Sequence, residues 1–98
     1  MTSSDPDDPR QRWDVCFAGR VQGVGFRYTV ERIAQRRNVT GYVQNLPDGR
    51  VRLVAEGDRE ELDALVAAVR EQMSRNIRNV SQRQLPATGE FEGFAIRY

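Results

Sequence analysis

The hydrophobic period of this chain switches repeatedly between two and 3.6 residues, and that order limits its possible folds more than any other feature. Trp13, Val15 and Phe17 alternate with Asp14, Cys16 and Ala18, as in a strand with one buried face. Phe26, Val30, Ile33 and Ala34 then recur at helical spacing, with Glu31, Arg32, Gln35, Arg36 and Arg37 on the remaining surface. Val39 to Asn45 returns to strand character around Tyr42 and Val43. Leu46-Pro47-Asp48-Gly49 carries turn chemistry: Pro sets φ, Asp tolerates the third position, and Gly accepts positive φ at the fourth. Val51, Leu53 and Ala55 alternate with Arg50, Arg52, Val54 and Glu56 as the returning strand. Leu62, Leu65, Val66, Val69 and Met73 form a second helical stripe, and Asp58 with Glu61 resembles a capping box opening it. The polar stretch from Asn76 to Leu85, anchored only by Ile77 and Val80, reads as an edge strand. After a turn at Pro86-Ala87-Thr88-Gly89, the residues Phe91, Phe94, Ile96 and Tyr98 supply a short last strand.

Strand–helix–strand–strand–helix–strand is the split βαβ repeat of a ferredoxin-like α/β sandwich. In this α+β fold, two helices cover one face of a mostly antiparallel sheet, and right-handed crossovers leave few other topologies. At 98 residues the chain can build one modest core without metal or disulfide staples. Residues 1–11 are polar and lack an apolar anchor, so the sequence predicts a flexible tail there and a single domain over 12–98.

Composition removes several functions. The net charge of +1 provides no global field to recruit nucleic acid or an anionic membrane. Histidine is absent, and with it the usual general base and the commonest metal ligand. Cys16 is the only cysteine, which excludes an internal disulfide and points to the reducing cytoplasm. With no second thiol or histidine to activate it, Cys16 reads as a packing residue. No apolar run approaches a membrane span, and no charged-then-apolar secretory pattern opens the chain. The expectation is a monomeric cytoplasmic domain without nucleic-acid or membrane partners.

Between the first strand and the first helix lies Gly19-Arg20-Val21-Gln22-Gly23-Val24-Gly25-Phe26-Arg27. Its three glycines permit positive φ, so backbone N–H groups can converge on an anion, and the following helix N-terminus adds a favourable dipole. Arg20 and Arg27 bracket it, and a guanidinium matches phosphate bidentately. A cation in the first helical turn opposes the dipole, which suggests that Arg27 is placed for a ligand. The dinucleotide fingerprint fails at Tyr28, and the triphosphate-loop pattern lacks its Lys-Ser/Thr. Glycine spacing alone leaves both a phosphate cradle and a ligand-free turn open. Asn45, next to the hairpin turn, is likewise open to a local backbone-bonding role.

The whole Gly19–Arg27 stretch resembles the signature of the acylphosphatases. Gly41-Tyr42-Val43-Gln44-Asn45 with Leu46-Pro47-Asp48-Gly49-Arg50-Val51 resembles that family's second signature, and Gly93-Phe94-Ala95-Ile96-Arg97-Tyr98 its usual C-terminus. The likeness runs from about Val15 to Tyr98, with Tyr42 where many members carry Trp and without their Gly-Pro-rich lead-in over Asn76 to Leu85. It implies hydrolysis of acyl phosphates to carboxylate and inorganic phosphate, with no metal or cofactor. It also implies a phosphate-binding role for Arg27, a water-orienting role for Asn45, and a phosphate cradle formed by the loop amides of Gly19, Arg20, Val21, Gln22, Gly23, Val24 and Gly25. Acyl phosphates, inorganic phosphate and sulfate are the ligands it implies.

The chemistry suits a chain without histidine. The leaving group is a carboxylate, stable at neutral pH, so no general acid is demanded. Two other classes compete. Ferredoxin-like sheets bind RNA through exposed aromatics, and Tyr42 is the candidate for that role. A phosphate-sensing or carbamoyl-phosphate-handling domain would keep the cradle without turnover.

Overall fold

The computed structural model describes residues 10–98, and most of the expected tail lies outside the described residues. Seven elements follow in order: β1 (Arg10–Gly19), α1 (Phe26–Gln35), β2 (Val39–Asn45), β3 (Val51–Asp58), α2 (Arg59–Gln72), β4 (Ile77–Pro86) and β5 (Phe94–Arg97). Arg10 and Gln11, assigned to the tail from sequence, instead open β1 opposite Asp58 and Gly57 of β3. Backbone pairing orders them where side-chain burial would not.

The sheet order is β4-β1-β3-β2-β5. All neighbours are antiparallel except β2 and β5, which run parallel. Strands β1 and β2, and likewise β3 and β4, are separated by one strand, so each helix belongs to a split βαβ unit as expected. β4 is the polar edge strand foreseen from its composition.

One core lies between helices and sheet. Trp13, Val15, Phe17, Val43, Val51, Leu53 and Ala55 meet Phe26, Val30, Ile33 and Ala34 of α1 and Leu62, Leu65, Val66 and Val69 of α2. Met73, just past α2, closes the second stripe. The Phe17 and Phe26 rings pack 5.2 Å apart across the loop that joins their elements.

Three local expectations are corrected. Asp58 stands at the N-cap of α2 but makes no side-chain capping bond. The Glu61 carboxylate accepts the Asn38 N–H at 2.8 Å and pairs with Arg37 at 2.9 Å, because the α1–β2 connection lies within its reach. Phe91 is not in the last strand, which starts only at Phe94. It lies in a connection covering the sheet face away from the helices, its ring 5.9 Å from Tyr42. Tyr42 is therefore buried, with the Arg97 guanidinium 3.7 Å from its ring centroid, and the aromatic needed for an RNA-stacking sheet is not available.

That second face carries two buried carboxylates. Asp14 accepts both guanidinium arms of Arg52 at 3.0 and 2.7 Å and an N–H of Arg83 at 3.1 Å. Arg52 foremost, joined by Arg83, holds the Asp14 carboxyl below its usual value against the opposing effect of burial. Burial alone would push Glu56 up. The Thr88 N–H, the Arg12 guanidinium and the Gly89 N–H hold it below its usual value instead. The stretch after Pro86, read as a turn, is thus pinned to a buried carboxylate.

Candidate active site

The glycine loop leaves β1 through a tight contact. Gly19 has φ +132°, and a Cβ there would run into the Asn76 carbonyl oxygen and lie 2.9 Å from the Arg78 nitrogen. Gly19 is therefore required by its approach to the entry of β4. Arg20 continues that contact, its N–H donating to the Asn76 carbonyl at 2.9 Å. Val21 then drives its side chain into the core, where it is 1% exposed.

Gly23 and Gly25 differ from Gly19. Their φ values are +76° and +77°, and a Cβ at either would meet nothing within 4 Å. Conformation alone demands glycine there. Gly25 is the N-cap of α1, and the first helical bond runs from the Thr29 N–H to the Gly25 carbonyl at 3.0 Å. The N–H groups of Phe26, Arg27 and Tyr28 precede that bond and have no helical acceptor. The first turn contains no acidic residue. This is the arrangement by which a helix start binds an anion.

A cavity of about 240 Å³ opens at this point, lined by Val21, Gly23, Gly25, Phe26, Arg27, Tyr28, Asn45, Ile96 and Tyr98. Of the expected site residues, Arg27, Asn45, Val21, Gly23 and Gly25 come together here. Gly19, Arg20, Gln22 and Val24 are not among the lining residues. Arg27 is the single charged side chain on the wall. Sequence reasoning overlooked Tyr28, Ile96 and Tyr98 as wall residues. Only the parallel placement of β5 beside β2 brings the last two here.

Arg27 is held on the cavity wall from one side. Its Nη1 donates to the Arg97 carbonyl at 3.3 Å, and its guanidinium carbon lies 4.9 Å from the Tyr98 ring centroid. Its remaining donors are available to a ligand. Asn45 ends β2 opposite Val51. The hairpin closes without its side chain: Leu46 N–H donates to Arg50 O at 2.8 Å, Gly49 N–H to Leu46 O at 3.1 Å, and Arg50 N–H to the Asp48 carboxylate at 3.0 Å. The local backbone-bonding role open from sequence is thus taken by Leu46, Asp48 and Gly49.

A larger hollow of about 450 Å³ on the opposite sheet face touches Cys16, Arg50, Arg52 and Arg83. Its arginines are already paired, Arg50 with Asp48 and the other two with Asp14. It offers an anion far less than Arg27 does. Among the described residues no group of three or more His, Cys, Asp or Glu gathers in metal-binding array. Among the described residues no helix is long and apolar enough to cross a membrane.

The family model described as Acylphosphatase matches residues 13–96. The chain belongs to the acylphosphatase family. The acylphosphatase of Methylococcus capsulatus is 48% identical over 88 residues, covering 88% of this chain and 95% of that protein. That of Marinobacter nauticus is 44% identical over 84 residues, covering 85% and 91% respectively. The crystal structure of acylphosphatase from Bacillus subtilis superposes with a TM-score of 0.81 at 33% identity, covering 90% of this chain and 99% of that one. The reaction of this family member is hydrolysis of an acyl phosphate to a carboxylate and inorganic phosphate.

Proposed function

We propose that Arg27 and the main-chain amides of the 21–25 stretch and the first turn of α1 bind the phosphoryl group, while Asn45 orients the attacking water. Of the expected 19–25 cradle, Gly19 and Arg20 drop out, because the Arg20 N–H is already given to the Asn76 carbonyl and neither residue lines the cavity. The observation that carries this is the shared wall: Arg27, as its one charged side chain, and Asn45 line the same cavity of about 240 Å³ at a helix N-terminus. Phosphoryl transfer needs positioning and charge stabilisation more than covalent help. Amides and guanidinium neutralise the equatorial oxygens as charge shifts in the transition state. The Asn45 amide holds water in line behind phosphorus, which makes the attack effectively intramolecular. The water forms the new P–O bond as the bond to the acyl oxygen breaks, and the carboxylate departs unprotonated. The water's proton passes to a phosphate oxygen of the substrate itself. Inorganic phosphate, as product, and sulfate, as its mimic, occupy the same cradle. We also infer a monomeric protein of the cytoplasm, a compartment that the lone Cys16 supports.

Hydrolysis of acetyl phosphate by Arg27→Lys and Asn45→Ala, with and without EDTA, tests this. Arg27→Lys should lose nearly all turnover, because a point charge lacks the bidentate fork. Asn45→Ala should lose about 10²-fold in kcat with KM little changed. EDTA should alter neither the wild type nor the variants. Wild-type rates in Arg27→Lys, or EDTA inactivation reversed by a divalent ion, would overturn the reading.

A further inference from the structure

Gln22 sits inside the loop that cradles phosphate, yet its side chain is committed elsewhere. Its Nε2 donates to the Leu46 carbonyl at 2.8 Å and to the Arg50 carbonyl at 2.9 Å. These carbonyls belong to the two residues that close the base of the β2–β3 hairpin, where the Leu46 N–H meets the same Arg50 oxygen. Both hydrogens of one amide are therefore spent on a hairpin 24 and 28 residues away in sequence. Asn45 is the residue immediately before Leu46. Among the described residues its own side chain has no hydrogen bond to the protein, so the backbone around Leu46 sets where it stands. On the other side of the clamp, Val21 is locked in the core and Gly23 lines the cavity.

We infer that Gln22 is a positioning residue for the hydrolytic step, fixing the hairpin base, and with it Asn45, against the phosphate-binding loop. This rests on the water-orienting role of Asn45 proposed above. The loop supplies the site for phosphorus and the hairpin supplies the water, and the two come from segments joined covalently only through α1 and β2. Attack in line requires them in register, and misplacement near the reacting atoms is costly. A glutamine suits the task because its single nitrogen carries two donors that can reach two carbonyls at once.

The test is a double-mutant cycle on acetyl phosphate with Gln22→Met, Asn45→Ala and the pair, reading kcat, KM and inhibition by inorganic phosphate. Met keeps the length and removes both donors. Gln22→Met should lower kcat about 10-fold, leave KM and phosphate inhibition within about twofold, and cost nothing further when Asn45 is already Ala. An equal loss of kcat in both backgrounds would overturn the inference. So would a change confined to KM and phosphate inhibition, because Gln22 would then serve the cradle alone. Wild-type kcat in Asn45→Ala would remove the proposed role of Asn45, and this inference with it. Gln22→Asn covers the case in which the Met variant fails to fold. It keeps the neutral amide but is one methylene too short to reach both carbonyls, and must show the same non-additivity.

Discussion

Three glycines that look equivalent in sequence do different work. At Gly19 both backbone angle and space exclude a side chain, since a Cβ would meet backbone atoms of Asn76 and Arg78 that cannot rotate away. At Gly23 the space is open and only the positive φ is demanding. Gly19→Ala should therefore cost about 2 kcal/mol or more of stability. Gly23→Ala should cost about 1 kcal/mol and also weaken phosphate inhibition, because its backbone borders the cavity. Urea unfolding and phosphate inhibition of both variants check this. A Gly19→Ala protein as stable as the wild type would remove the steric argument. Arg27 was legible as a ligand residue because a cation in a first helical turn is otherwise misplaced. Arg20, equally basic, brackets the loop in sequence without that signal. Only the fold shows that its backbone is tied to Asn76 and that its side chain leaves the cavity to Arg27.

Among the elements, both helices were readable throughout. Every apolar residue assigned to the two stripes is buried, because a 3.6-residue period has one geometric solution on a helix. Their ends were less legible. A carboxylate three residues after an N-cap aspartate has the spacing of a capping box, but spacing cannot say what lies beside it. Glu61 turns instead to the Asn38 N–H and Arg37, joining α2 to the link between α1 and β2. Glu61→Ala should therefore lower the melting temperature more than Asp58→Ala, the reverse of the order expected if the Asp58 side chain capped the helix. Thermal unfolding of the two variants decides it, and a larger effect at Asp58 would restore the cap. The start of β5 was misplaced for a related reason. Phe91 has strand propensity, but its ring packs on Tyr42 and beneath Arg12, outside any ladder.

At the scale of the molecule, the sheet separates two kinds of chemistry. The helix face is apolar, while the other face holds Asp14 and Glu56 in charged networks with Arg52, Arg83 and Arg12. Both carboxyls lie below their usual values in the folded protein, so folding favours their ionised forms. Their contribution is complete above the ordinary values of 4.5 for Glu56 and 3.8 for Asp14. It is lost as pH falls below these toward the lower folded values, where the unfolded chain binds more protons. Urea unfolding between neutral pH and pH about 3 should show stability falling in that window. Asp14→Asn and Glu56→Gln should each be less stable at neutral pH and show a shallower fall. Unchanged slopes in both variants would mean that other groups govern acid unfolding.

By itself the sequence determined the order of elements, the buried stripes and the motifs of the family. Each depends on neighbours within a few turns or one hairpin, where period and turn chemistry act directly. The tertiary structure decided which polar side chains face the cavity and which are spent elsewhere. Gln22 reaching Leu46 and Arg50, Arg27 resting on the Arg97 carbonyl, and Tyr42 closed in by Phe91 and Arg97 all join segments far apart in the chain. Such contacts exist only once the sheet order β4-β1-β3-β2-β5 has set those segments side by side, and no local pattern encodes them.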